Sequence, residues 1–364
     1  LKIRQLPSQK QIANIDISYE GRKFFGIFTT PTFELFCIFV LSPSKGILMT
    51  KSISFIINPS ELGAGTRGAS LGPFAMQIAA REKGNQLFKN RPWTCLSDFN
   101  HLLDRPIKFP LAKRIDGMVK VYETIGSEIS KTLSAGNFPF VIAGDHASAG
   151  GTIRGIHQAY PDARLGVIWI DAHADAHTPY TTPSGNLHGM PIATALGMDN
   201  LACEKNHVDL ETSLLWNQLK CSAVKPADLV YIAVRDTEPE EDQFMNDNHI
   251  KNFTVDEVRS KGVDVISNET LGYLNACDLI YVSFDVDSMD PDLTSYGTGT
   301  PVKNGLTMNE AVHLLQNFSK TPKLCALEVV EVNPCLDKAG NKMAEIALEI
   351  VDAVAHTLEE SWKL

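Results

Sequence analysis

From Ser52 onward, short apolar runs rich in β-branched residues alternate with longer stretches whose apolar positions recur at helical spacing. The runs are "SISFII", "FPFVIAG", "RLGVIWIDAH", "DLVYIAVR", "DLIYVSFDVD" and "LCALEVVEV". Between them the pattern predicts a helix entered at Pro73 after a glycine-rich turn (Gly63 to Gly72). Further helices are predicted from Met118 to Leu133, after Ser148, and along an amphipathic stretch from Lys342 to Trp362. Strands alternating with helices predict an α/β fold: a three-layer α/β/α arrangement with a mostly parallel central sheet covered on both faces. No internal repeat or low-complexity linker divides it.

The polar residues fall at particular places in this pattern. "FVIAGDH", "VIWIDAHAD", "YIAVRD", "YVSFDVD" and "LEVVEVNP" each put acid or histidine residues just past an apolar run. In open α/β sheets, ligands bind in the crevice at the carboxyl ends of the strands. Five strands are therefore expected to present their chemistry at one edge.

Composition narrows the classes. The 364 residues, 44% of them hydrophobic, suffice for a well-cored globular protein. With 43 acidic against 33 basic side chains and a net charge of -10, the surface is not built to neutralise phosphate backbones, so no nucleic-acid partner is expected. The seven cysteines are scattered and never form a close CxxC pair, which predicts free thiols in a reducing, cytoplasmic compartment. The apolar run from Phe24 to Leu41 is marginal in length and holds Pro31 and Glu34, so no membrane span is expected. The chain opens on Leu1 and its first methionine is Met49. Residues 1–51 are accordingly set apart as an N-terminal extension, and residues 52–364 are read as one catalytic domain.

The stretch "DAHADAHTP" puts Asp171, His173, Asp175 and His177 at every second position. In an extended strand the first three would project from one face and converge. With Asp145, His146, Asp285, Asp287 and Glu331 they would crowd one cleft with carboxylates that repel one another unless a cation neutralises them. Two imidazoles, several carboxylates and no thiolate suit hard or borderline ions such as Mn²⁺. The set is too large for one open site and fits two ions sharing bridging carboxylates, an arrangement that makes hydroxide available near neutral pH. Each residue alone has a plainer reading, since an aspartate at a strand end commonly caps a helix or forms a turn.

"GDHASAGG", "DAHADAHTPYTTPSGNLHGMP", "SFDVDSMDP", "TGTPVKNGLT" and "EVVEVNP" closely resemble, in order and spacing, the motifs of the arginases within the ureohydrolases. The resemblance runs from about Ser52 to the C-terminus. It implies hydrolysis of L-arginine to L-ornithine and urea by two Mn²⁺ ions, in a homotrimer or homohexamer. It implies that His146, Asp171, Asp175 and Asp285 bind one ion, and that His173, Asp171, Asp285 and Asp287 bind the other. Asp145 beside His146 is expected to orient that imidazole.

Glu331 matches the guanidinium-binding glutamate, with Thr300 beside it, and His188 matches the proton shuttle. With Asp175 these make up the set expected to act on the substrate. Thr182, Ser184 and Asn186 match the loop that contacts the α-carboxylate and α-amino groups. Two departures stand out: His177 replaces an asparagine that helps bind the carboxylate, and Glu238 replaces an aspartate that meets the amino group. The plainer readings are a turn at His177, a helix cap at Glu238 before Pro239, and a cap at His188; Glu241 is a weaker candidate in the same helix start. Related hydrolases acting on agmatine or a guanidino acid are the nearest alternatives. A non-catalytic binding protein of the same fold is a third, which the intact ligand set disfavours.

Overall fold

A computed structural model of the chain describes residues 2–5, 13–19, 22–28 and 51–363. Its contacts separate into two units, Leu1–Thr50 and Lys51–Leu364. The first contains three antiparallel strands, β1 (Lys2–Gln5), β2 (Ala13–Tyr19) and β3 (Arg22–Phe28), with β2 in the middle. Of the apolar run from Phe24 to Leu41, residues 24–28 belong to β3 and the remainder lies outside the described residues. Among the described residues no helix is long and apolar enough to cross a membrane.

The second unit is built on eight strands: β4 (Ile53–Asn58), β5 (Trp93–Cys95), β6 (Phe138–Ala143), β7 (Leu165–Ile170), β8 (Val224–Ile232), β9 (Lys251–Phe253), β10 (Leu279–Asp285) and β11 (Leu324–Val330). They form one sheet in the order β5-β4-β6-β11-β10-β7-β8-β9, and every pair is parallel. Among the described residues the α-helices are α1 (Gly72–Glu82), α2 (Ile115–Ser134), α3 (Ser148–Ala159), α4 (Pro191–Leu196), α5 (Leu210–Leu219), α6 (Pro239–Asp247), α7 (Val255–Lys261), α8 (Val263–Tyr273), α9 (Met308–Ser319) and α10 (Lys342–Ser361).

Strand side chains alternate between two cores, as the two-residue period requires. Phe55, Ile57, Ile168, Ile170, Val282 and Phe284 face α1, α7, α8, α9 and α10. Ile56, Val167, Trp169 and Tyr281 face α2, α3, α4, α5 and α6. Burying each large apolar side chain stabilises the fold by roughly 1.5–3 kcal/mol relative to exposure. Helices therefore cover both faces, giving the three layers that the alternation predicts. Strands β5 and β9, three residues each at the two edges, are the additions to the sequence reading. The six cysteines among the described residues are free thiols; Cys37 lies outside them.

The five strands whose ends carry acid or histidine residues are β6, β11, β10, β7 and β8, and they are contiguous in the sheet. Phe284 pairs with Ile170, so Asp285, the last residue of β10, and Asp171, the first past β7, stand side by side.

Candidate active site

The DAHADAH segment departs from the expected strand geometry. β7 ends at Ile170, and residues 171–177 run on as irregular chain with Asp175 in the left-handed region at φ 50°. The chain leaves the sheet because Asp171 Oδ1 accepts the His173 amide (2.7 Å) and Asp287 Oδ1 accepts the Ala172 amide (3.2 Å), so side chains replace ladder partners. The intervening Ala172, Ala174 and Ala176 are fully buried, which accounts for small residues between the polar ones. Convergence of the aspartates and histidines thus comes from this folded loop and not from strand alternation.

His146 Nδ1 lies 2.9 Å from Asp171 Oδ2, 3.1 Å from Asp175 Oδ2 and 3.2 Å from Asp285 Oδ2. His173 Nδ1 lies 3.1 Å from Asp287 Oδ2 and 3.4 Å from Asp171 Oδ1. Two groups of potential ligands, His146–Asp171–Asp285 and Asp171–His173–Asp287, therefore share Asp171. His146 Nδ1 is buried and makes no hydrogen bond despite three carboxylate oxygens around it, so donors and acceptors there aim at a common point and not at one another. That arrangement, with oxygen and nitrogen donors only, fits a divalent cation.

The electrostatics agree. Burial pushes Asp175 up to about 6, with Asp171 adding to the rise, and burial together with Asp287 and Asp171 drives Asp285 well above the carboxylate range. Asp287 is raised by burial as well. Burial opposes ionisation of Asp171 too, but the imidazoles of His146 and His173 outweigh it and hold Asp171 below its ordinary value. A crowd of carboxylates that resists ionisation is what a cation would relieve.

Two residues that brace this centre escaped the sequence reading. Trp169 Nε1 donates to Asp171 Oδ2 (2.9 Å), and its ring stacks on His146 with centroids 3.9 Å apart and planes 6° apart. Ser283 Oγ lies 2.7 Å from His146 Nε2. Ser283 stands two residues before Asp285 on β10, and Trp169 two residues before Asp171, which follows the end of β7, so the two-residue spacing itself was the available signal. Asp145 does not orient the His146 ring: its oxygens accept the Gly63 amide (2.8 Å) and the Ala147 amide (2.9 Å). Neighbouring residues point apart here, and Ser283 takes the position expected for Asp145.

A cleft of about 360 Å³ opens over the centre. All the residues selected from the sequence line it except Asp145, Asp171 and Glu331, which are 1%, 1% and 2% exposed and sit behind the lining. Glu331 follows β11 at φ 66°, and its Oε1 accepts the His146 amide (3.1 Å) and lies 3.2 Å from His188 Nδ1. Burial opposes protonation of His188, yet Glu331 prevails and raises it to about 9. His188 sits in a short turn, Leu187–Gly189, ahead of α4, with its ring on Glu331 and not on a helix end. Thr300 Oγ1 donates to Asp287 Oδ2 (2.9 Å), while the adjoining Gly299 brings backbone close to Glu331 Oε2.

At the rim, Thr182 Oγ1 accepts the amides of Ser184 (3.2 Å) and Gly185 (2.9 Å), and Ser184 Oγ accepts that of Asn186 (3.2 Å). Lys113 Nζ donates to Asn186 Oδ1 at 3.0 Å. His177 uses both ring nitrogens: Nδ1 lies 3.1 Å from Thr181 Oγ1 and Nε2 lies 3.1 Å from Glu238 Oε2. Glu238 holds the N-cap position of α6 while its carboxylate faces His177, and that hydrogen bond lowers it to about 2. Glu241 accepts the Ala176 amide (3.1 Å) and the Glu238 amide (3.3 Å), tying the loop to α6. Asp236 also lines the cleft, 3.7 Å from His173 Nε2; only its place at the end of β8 signalled it.

The family profile described as "Arginase family" matches residues 51–356. Arginase of Bacillus subtilis is 32% identical, over 84% of this chain and 98% of that protein. Human Arginase-1 is 34% identical, over 85% of this chain and 92% of that protein. The crystal structure of Entamoeba histolytica arginase in complex with L-ornithine superimposes with a TM-score of 0.71 at 25% identity, covering 84% of this chain and 98% of that one. A profile across most of the chain, relatives aligned nearly end to end and a common fold lead to one assignment: the chain belongs to the arginase family.

Proposed function

We propose that this chain converts L-arginine and water to L-ornithine and urea with two Mn²⁺ ions, as a cytoplasmic homotrimer or homohexamer. The observation that carries the reading is the sharing of Asp171 between two ligand groups at the floor of the cleft. His146, Asp171, Asp175 and Asp285 would hold one ion; His173, Asp171, Asp285 and Asp287 would hold the other. Bound ions of this kind supply a water acidic enough to act as a nucleophile near neutral pH. Manganese is favoured by a ligand set of carboxylates and imidazoles without thiolate.

The rest of the chemistry belongs to the chain. Glu331 commits Oε1 to His146 and His188. Oε2 is thereby left to hold the planar guanidinium by charge-assisted hydrogen bonds. His188 commits Nδ1 to Glu331, so Nε2 is the atom that delivers a proton to the departing amine. Thr182, Ser184 and Asn186 present neutral donors to the α-carboxylate. Glu238, braced by His177, meets the α-amino group. The Entamoeba histolytica relative in complex with L-ornithine is consistent with an amino acid in this cleft.

Urea release from arginine and from agmatine, each with added Mn²⁺, tests the reading. Preference for arginine supports it, and preference for agmatine overturns the substrate assignment. Light scattering of the same preparation measures the number of copies.

A further inference from the structure

Lys113 is a cation at the rim to which the proposed chemistry gives no task. It stands just ahead of α2, half-buried, and its backbone is tied to the rim loop, since the Lys113 amide donates to the Gly185 carbonyl at 2.8 Å. The next residue, Arg114, has φ 62°, and its guanidinium donates to the carbonyls of Leu103 (3.1 Å) and Arg105 (3.0 Å), which anchors the turn that carries Lys113. Among the described residues no carboxylate pairs with Lys113, whereas Lys108, Lys205 and Lys220 each pair with one. A half-buried ammonium gives up part of its hydration and needs acceptors in exchange. The acceptor here is neutral: Asn186 Oδ1, at 3.0 Å.

That contact decides which way the Asn186 carboxamide points. An ammonium has donors and no acceptor, so the carboxamide must turn its oxygen to Lys113 and its nitrogen away. Nδ2 then stands beside the glycine-rich turn, where a Cβ added to Gly65 would lie 2.7 Å from Asn186 Nδ2 and 3.9 Å from His188 Nε2. Glycine at that position leaves room for the amide on the side of the His188 ring, and Asn186 and His188 both line the cleft. Among the described residues Nδ2 donates to no protein acceptor, while the backbone amide of Asn186 is taken by Ser184 Oγ. Two N–H donors thus stand beside the cleft with nothing in the described chain to receive them.

A carboxylate accepts what these donors offer. Were the carboxamide turned over, its oxygen would face the carboxylate and repel it, so the contact with Lys113 sets the sign of the interaction. We propose that Lys113 is a positioning residue that locks Asn186 with Nδ2 toward the α-carboxylate of the substrate, and so favours arginine over agmatine, which lacks that group. The proposal rests on the reading of Thr182, Ser184 and Asn186 as the loop that holds the carboxylate.

The test is steady-state urea release by the Mn²⁺-loaded full chain, with agmatine followed as a substrate or as an inhibitor. Lys113→Met should raise the Michaelis constant for arginine by roughly 10-fold, the loss expected for a hydrogen bond to a charged group, while turnover and the constant for agmatine keep their wild-type values. In an Asn186→Ala background the same substitution should change nothing further, because the two residues act as one unit. Lys113→Ala serves if Lys113→Met does not fold. A wild-type Michaelis constant in Lys113→Met, a lowered turnover, an equal rise for arginine and agmatine, or a further rise in the Asn186→Ala background overturns the role of Lys113. In each of those cases, an Asn186→Ala variant with a raised constant for arginine alone leaves the reading of the loop intact. An Asn186→Ala variant with wild-type constants overturns the reading of the loop, and the role of Lys113 falls with it.

Discussion

At the residue scale, the site separates side chains that touch the ions from side chains that handle substrate and protons. His188 faces Glu331 and lines the cleft without joining either ligand group, so His188→Asn should lower turnover by roughly 100-fold or more with manganese content unchanged, as read by metal analysis. Loss of metal in that variant would make His188 a ligand. His177 is spoken for on both ring nitrogens, so His177→Asn should alter the Michaelis constant for arginine by releasing Glu238, again without metal loss. Asp145 supplies a pH signature. Burial, then the charge of Glu331, raise its carboxyl from 3.8 to about 7 in the folded protein. Between those values the folded state binds more protons than the unfolded state. The contribution to stability is therefore complete below about pH 4 and is lost as the pH rises through about 7. In chelator-treated protein, the thermal midpoint of Asp145→Asn should fall less steeply over that window than that of the wild type; equal slopes would refute the assignment.

At the element scale, function sits on irregular chain held by regular structure. The rim loop turns at Gly185, where φ is 74° and an added Cβ would stand 1.9 Å from the Pro110 carbonyl oxygen. Gly185→Ala should cost about 1–3 kcal/mol through left-handed strain alone, and more through the clash. A lowered thermal midpoint and a raised Michaelis constant for arginine are the expected readings. A wild-type Michaelis constant would detach this loop from substrate binding. Long, apolar β6, β7, β10 and β11 were legible because burial on both faces demands continuous apolar sequence. β5 and β9 were not, because three-residue edge strands leave too short a pattern.

At the scale of the whole molecule, the parallel order β6-β11-β10-β7-β8 brings carboxylates from several strand ends into one buried space. Without ions, that space opposes folding by desolvating charge. Adding Mn²⁺ to chelator-treated protein should raise the thermal midpoint, with about 2.7 kcal/mol of stabilisation for each ion present at a hundredfold excess over its dissociation constant. A midpoint unmoved by Mn²⁺ would contradict a metal centre at this place. Scanning calorimetry or fluorescence makes the measurement.

Sequence by itself determined the layered α/β class, the edge of the sheet that bears the chemistry, and most of the residues lining the cleft. The first two, and the acid and histidine residues past the strands, are written in local periods and in residue type, which no distant contact has to supply; His188, Thr300 and the rim residues were marked by the resemblance of their motifs to those of the arginases. Tertiary structure decided that "DAHADAHTP" is a folded loop and not a strand, because Asp171 and Asp287 bond its backbone amides. It decided that Ser283 holds the His146 imidazole where Asp145 was expected, and that His177 reaches Glu238 sixty-one residues away. Hydrogen-bond partners between strands and loops far apart in the chain depend on sheet register and side-chain direction, and neither exists until the chain has folded.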